Sequence, residues 1–235
     1  MTAPARLVPG LALSLIAGTA AAQAALVPPD CTAYLTVQNT DCVVEHHYLC
    51  PSIGGPRLRV DFDQDGPFYM AGTDDEGRWL WSQSLPDGAV SRFIEDGADP
   101  VSLSQLLDTG ENRYVFSEIR DGETLRISGY DRLTGEHVAI DGEPLLATEY
   151  AFQVTAPDGQ VRTTIEGAEY VSARHRRFFS GIRRFTDAEG QQVTRDSTPV
   201  EFVYPGEPGF MSETPTRGCS ALMSALPQPQ PGGPA

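Results

Sequence analysis

RLRVDFDQDGPFYMAG, residues 57–72, supports two readings. Leu58, Val60 and Phe62 alternate with Arg59, Asp61 and Asp63, the period of a strand with one apolar side. Gln64-Asp65-Gly66 then suits a tight turn, and Phe68 to Met70 a returning strand. The same residues resemble the opening of a calcium loop, because Asp61, Asp63 and Asp65 alternate and run into Gly66. Such a loop needs a carboxylate at its twelfth position and often uses its ninth. Counted from Asp61, these are Gly72 and Tyr69. The hairpin accounts for more, with Asp61 and Asp63 on its solvent side. No metal or cofactor is assigned; Asp61, Asp63 and Asp65, with Asp74 and Asp75 close by, stand as the alternative metal site.

The pattern of this stretch recurs along the chain. Asp-Gly occurs six times, at 65, 87, 96, 121, 141 and 158, and suits hairpin turns because both residues tolerate positive φ. Between the breaks, Tyr150, Phe152 and Val154 alternate with polar residues, as do Val200, Phe202 and Tyr204. The expectation is an antiparallel meander of roughly ten to twelve strands. So long a sheet would expose its edges if flat, so it should curl into a barrel, a half-barrel or a sandwich. One helix is expected over about 99–109. Asp99 would cap it, Pro100 take its first turn, Gly110 end it, and Leu103, Leu106 and Leu107 form the buried stripe. It should lie across one face or one mouth of the sheet.

Residues 1–24 read as a secretory leader, with one charge at Arg6, an apolar run LALSLIAGTAAA and a small-x-small site at Ala22-Gln23-Ala24. That run is too short to span a bilayer, and no later run is long enough. A single β-rich domain is expected over 31–219, followed by a disordered Pro/Gly-rich tail, 220–235. Without the leader, 16 arginines face 32 acidic residues, a net charge of −16, which disfavours nucleic acid and anionic lipid surfaces. There is no lysine, so lysine Schiff bases and phosphate-loop lysines are excluded. A leader and an even cysteine count point to a bacterial periplasmic or secreted protein with two disulfides.

CTAYLTVQNTDCVVEHHYLC, residues 31–50, reads as a hairpin turning at Thr40-Asp41. In that register Cys31 faces Cys50, Leu35 faces His46 and Val37 faces Val44, with His46 among the inward residues. Cys31–Cys50 is then the natural bridge and leaves Cys42–Cys219. In the chain-entropy model the short bridge adds ~3 kcal/mol and the long one nearer ~5 kcal/mol. His46 and His47, adjacent on a strand, point to opposite faces and cannot easily grip one ion, while His137 and His175 lie far off in sequence.

No catalytic motif is present: G-x-S-x-G, H-E-x-x-H and G-x-G-x-x-G are all missing. Arg174, Arg176, Arg177, Arg183 and Arg184 form the one basic island, a candidate anion or protein-partner site whose plainer reading is cross-strand pairing with acidic neighbours. Trp79 and Trp81 share a face, and with Tyr150 and Phe152 could line an apolar cavity as well as an ordinary core. Gly77-x-Trp79 has the form of the G-x-W of lipocalins, but it lies far from the first strand and no other lipocalin motif follows, so that family is not assigned. The first expectation is a non-enzymatic carrier for an apolar or amphiphilic ligand, by analogy with β-sheet carriers. The second is an interaction module docking a protein through the arginine segment. The third is a hydrolase-type enzyme, expected only if two or more titratable side chains converge in a pocket.

Overall fold

The computed structural model describes residues 26–52 and 57–219; the leader and the 220–235 tail lie outside them. Thirteen strands form one antiparallel sheet. They are β1 (Thr32–Asn39), β2 (Val44–Leu49), β3 (Arg57–Asp63), β4 (Gly66–Thr73), β5 (Trp79–Ser84), β6 (Val90–Asp99) and β7 (Glu111–Arg120). Then follow β8 (Glu123–Ile140), β9 (Glu143–Thr155), β10 (Val161–Ser172), β11 (Arg177–Asp187), β12 (Gln192–Asp196) and β13 (Pro199–Val203). Neighbours in sequence pair throughout β1 to β12, and β13 returns to pair with β1. The edges of the sheet are thus successive segments of one chain run. At their junction Ser197 N–H donates to the Gly181 carbonyl (3.2 Å) and Thr40 N–H to the Thr198 carbonyl (3.0 Å). The sheet curls until its edges abut but does not close into a barrel.

The Asp-Gly turns do what their chemistry allows. Asp121 and Gly122 have φ of 51° and 83°, and Asp141 and Gly142 have 49° and 80°, the paired positive values of a two-residue hairpin turn. In the Asp65-Gly66 hairpin, Asp63 Oδ1 accepts the Asp65 N–H at 2.8 Å.

One helix, α1 (Leu103–Thr109), connects β6 to β7 and starts four residues later than expected. Asp99 ends β6, and Ser102, not Asp99, is the cap: its hydroxyl accepts the Gln105 N–H at 3.2 Å. Glu76 fixes that end, accepting from Ser102 Oγ (2.9 Å), Ser104 N–H (2.9 Å) and Arg176 (2.7 Å). Gly110 closes the helix in the left-handed region, as expected. Leu103 and Leu106 are fully buried against Val171, with Leu107, Leu133, Leu146 and Phe178 around them.

In a meander, successive turns alternate between two ends. The β6–β7 connection carries α1, so the helix stops up one end of the curled sheet. A buried polar network reinforces that end: Glu143 accepts from Tyr204 Oη (2.5 Å) and Ser172 Oγ (3.2 Å), and His175 Nε2 lies 3.4 Å away, its ring stacked between Tyr34 and Tyr204. Ser172 is fully buried; its hydroxyl donates to Glu143 and accepts the His175 N–H at 3.1 Å.

The first hairpin corrects the expected register. Ala33 faces Tyr48, but a bulge at Tyr34 makes Leu35 face His47 and Val37 face Glu45. Leu35 and Val37 therefore share the inner face with Glu45 and His47, while Val44, His46 and Tyr48 turn outwards; His47, not His46, is the inward histidine. The outward face is buried too, because the chain beyond β13 crosses it. Ser212 carbonyl lies 2.9 Å from His46 Nε2, Met211 N–H donates to Thr36 Oγ1 (3.0 Å), and Thr216 N–H to Gln38 Oε1 (2.9 Å). Cys42–Cys219 ties down the end of this strap, and Cys31–Cys50 joins the two ends of the hairpin.

At the centre of the sheet, a Cβ on Gly129 would meet both the Ala151 carbonyl oxygen and the Phe152 Cβ at 2.4 Å. Backbone cannot yield there as a flexible side chain would. Gly129→Ala should lower stability by about 2 kcal/mol or more in urea melts, as overpacking does; an unchanged midpoint would mean that β8 and β9 are spaced more loosely than described.

Candidate functional site

The end of the sheet opposite α1 holds a cavity of about 880 Å³. Its mouth lies among the other set of turns, at Asp41 and Val43, Pro86 to Ala89, Asp121, and Asp187 to Gln191. Almost every strand contributes a wall. Trp79, Phe93, Phe116, Ile165 and Phe185 supply an apolar side. Trp81, the ladder partner of Gly72, lies instead on the outer face with Leu58 and Met70, where a Cβ on Gly72 would collide with the indole at 2.3 Å.

The other side is ionic. Arg59 Nε is 2.9 Å from Asp61 Oδ1, and its NH1 is 3.8 Å from Glu45 Oε1. Asn39 Nδ2 donates to Glu45 Oε1 (2.9 Å), and His47 Nε2 lies 3.1 Å from Glu45 Oε2. The Arg59 guanidinium sits over Tyr69 and Trp79, 5.5 and 5.7 Å from their ring centres. Beside this cluster, Ser197 Oγ donates to Asp41 Oδ2 at 2.6 Å and is 3.4 Å from an Arg183 nitrogen.

Burial sets the protonation states. It drives Asp61 up to about 7 against the pull of Arg59. Burial also opposes charge on Glu45, but there Arg59 and His47 win and hold it well below the carboxylate range. Burial, aided by Arg177, takes His47 down to about 3 and so keeps it neutral. Asp41 is raised, mainly by burial.

Deeper in, a second space of about 30 Å³, room for a water molecule, is lined by Trp79, Tyr114, Asp131, Tyr150, Phe152 and Glu169. Burial pushes Asp131 up to about 7; burial and then Asp131 push Glu169 well above its ordinary value. These two carboxyls titrate as a pair, and both hold protons well above the ordinary carboxylate range.

Three of the four aromatic candidates come together: Trp79 lines both spaces, and Tyr150 and Phe152 the small one. A register shift against β4 pairs Trp79 with Thr73 and Trp81 with Gly72, which turns Trp81 to the outer face and corrects the expected shared face of the two indoles. The five arginines do not share a face, because alternation along β11 separates them. Arg177 is buried near Tyr34 (3.3 Å) and Arg183 lines the cavity. Arg174 pairs with Glu143 (3.4 Å), Arg176 with Glu76 (2.7 Å) and Arg184 with Glu166 (2.9 Å). Asp61 is 6 % exposed and points into the cavity, which corrects its expected solvent-side placement and separates it from any loop site with Asp65. Among the described residues no group of three or more metal-ligating side chains converges.

Sequence reasoning missed Asp41, Glu45, Arg59, Asp131 and Glu169. The last had a signal: Ile165, Gly167, Glu169 and Val171 follow one two-residue period, which puts a carboxylate on an otherwise apolar face. A scan of protein-family models finds no match, and neither the curated proteins nor the solved structures include a significant one.

Asp131 makes its burial measurable. Its ordinary value is 3.8 and its folded value about 7, so the folded state holds the extra proton between those limits. Its contribution therefore falls as pH rises from about 4 to about 7, by at most about 4 kcal/mol, and is level above. His47 acts in the opposite sense between about 3 and 6.5, so the informative quantity is a difference between two proteins. Asp131→Asn should gain stability relative to wild type across pH 4–7 and gain no more at pH 8. A difference that stays flat would show that Asp131 ionises normally.

Proposed function

We propose that the chain is a non-enzymatic binding protein that holds an apolar or amphiphilic small molecule in the cup. The observation that carries this is the cavity. Its volume falls within the roughly 300–1,000 Å³ of small-molecule sites, and its walls combine aromatic surface with a few fixed polar groups. The two disulfides fit an oxidising compartment, and no helix among the described residues is long and apolar enough to cross a membrane. Both agree with export to a bacterial periplasm or beyond. Docking of a protein on the arginine segment is the weaker reading, because those side chains point to different faces and most are already paired.

A second reading has one specific support. Titratable groups do converge in the cavity, and Asp61 can hold a proton at neutral pH, as a general acid must. Turnover of a bound ester or glycoside that is lost in Asp61→Asn would favour it.

One of the chain's two tryptophans, Trp79, lines the cup, so intrinsic fluorescence reports on its contents. Titration with N-phenyl-1-naphthylamine should quench that fluorescence saturably. Native mass spectrometry of protein taken from its own exported fraction should show a retained mass of a few hundred daltons. A bare mass together with linear, non-saturating quenching would remove the carrier reading.

A further inference from the structure

Arg183 and Arg195 are direct partners across the β11–β12 ladder, and both line the cavity. Like charges placed opposite one another on a sheet repel. Arg195 feels this: burial first, and then Arg183, weaken its hold on its proton. Of the carboxyls near the two arginines, Asp41 attracts both although burial raises it, and burial pushes Glu169 well above its ordinary value. Arg183 Nε and Asp41 Oδ1 are buried atoms without a hydrogen-bond partner among the described residues. Ser197 Oγ, between Asp41 and Arg183, is a further polar group at the same spot. The remaining face of the Arg183 guanidinium lies against Phe185, 5.5 Å from the ring centre. The arrangement is a pair of planar cations in a partly desolvated wall, next to aromatic surface.

We propose that this pair is the head-group subsite of the cup and that the ligand is an amphiphile with a single anionic head, a carboxylate or a phosphate. This rests on the binding-protein reading and adds the ligand's chemical class. The anion bridges the two guanidinia and removes their repulsion, and the apolar chain lies along Phe93, Phe116 and Ile165. The acidic mouth, with Asp87, Asp121 and Asp187, favours a cation instead, so a cationic chain is the competing ligand.

The test uses four twelve-carbon probes below their micelle concentrations: dodecanoate, dodecyl phosphate, dodecanol and dodecyltrimethylammonium. Binding is read from tryptophan fluorescence. The two anionic chains should bind at least about tenfold more tightly than dodecanol, the scale of one charge-assisted contact. Arg183→Gln and Arg195→Gln should each erase most of that advantage while dodecanol binds as before. The ranking of dodecanoate against dodecyl phosphate tells which head is preferred. Equal binding of all four chains, a preference for the cation, or an anion preference that survives both substitutions overturns the subsite and leaves the cup standing. No binding of any chain overturns both. Should Arg183→Gln fail to fold, the half-buried Arg195 decides alone, with an unchanged melting midpoint as its control.

Discussion

The ion pair of Arg59 with Asp61 and Glu45 lies where a β domain of this size ordinarily keeps its oil. Moving charges from water into a protein interior costs several kcal/mol per ion unless geometry and hydrogen bonds repay it. Here the repayment is spread over several neighbours: a second carboxylate, the Asn39 amide, two aromatic faces under the guanidinium, and a histidine kept neutral. The cluster is possible only because β2 and β3 do not have to spend their inner face on apolar packing. Their apolar residues, Val44, Tyr48, Leu58, Val60 and Phe62, are buried on the opposite face against the terminal strap. Without that strap, the apolar face would meet water and the favoured inside would change. Cys42–Cys219, by holding the strap, therefore acts on the polarity of a cavity on the far side of the sheet.

The rest of the interior divides along the sheet's axis. At the α1 end, leucines and the Glu143–Tyr204–Ser172 network fill the space. At the other end, one wall carries charged side chains, Glu45, Arg59 and Asp61, anchored to one another instead of meeting the facing apolar wall. Polar residues that pair along the wall leave the centre open, whereas apolar residues of similar size would close it to gain contact. The cavity is therefore a consequence of the charged wall, and the two features have one origin.

Much of the architecture could be read from the amino acids. The period-two runs and Asp-Gly turns dictate a meander, because a paired positive φ at Asp121-Gly122 or Asp141-Gly142 leaves the chain little choice but to reverse. The leucine stripe and Gly110 mark α1, although Ser102 outcompetes Asp99 as its cap because Glu76 and Asn112 are in place to receive that turn. What could not be read was the facing of β1 to β3. Alternation says that two faces differ, not which one is inside. The apolar face of residues 57–63 was naturally taken as inward, and one bulge at Tyr34 together with a strap about 150 residues distant reverses it. Trp79 was legible as an aromatic wall, but a register shift against β4 turns Trp81 to the opposite face, which simple alternation could not foresee. The charged members of the site were not legible, because Arg59 and Asp61 look like a solvent face whenever the covering layer is unknown.

The same logic separates the arginines of 174–184, a patch in sequence but not in space. A strand cannot present consecutive side chains to one partner, so Arg183 and Arg184 belong to different environments. Arg184 answers Glu166 in solvent, a contact of little energetic weight. Arg183 instead faces Arg195 across the ladder and lies beside Ser197 and Asp41, where low dielectric strengthens every interaction. Sequence proximity made these residues look like one surface for a macromolecule. Strand geometry makes Arg183 a wall of an interior site, buries Arg177 beside Tyr34 and leaves the others in ordinary salt bridges, which moves the molecule's capacity for recognition from its outside to its inside.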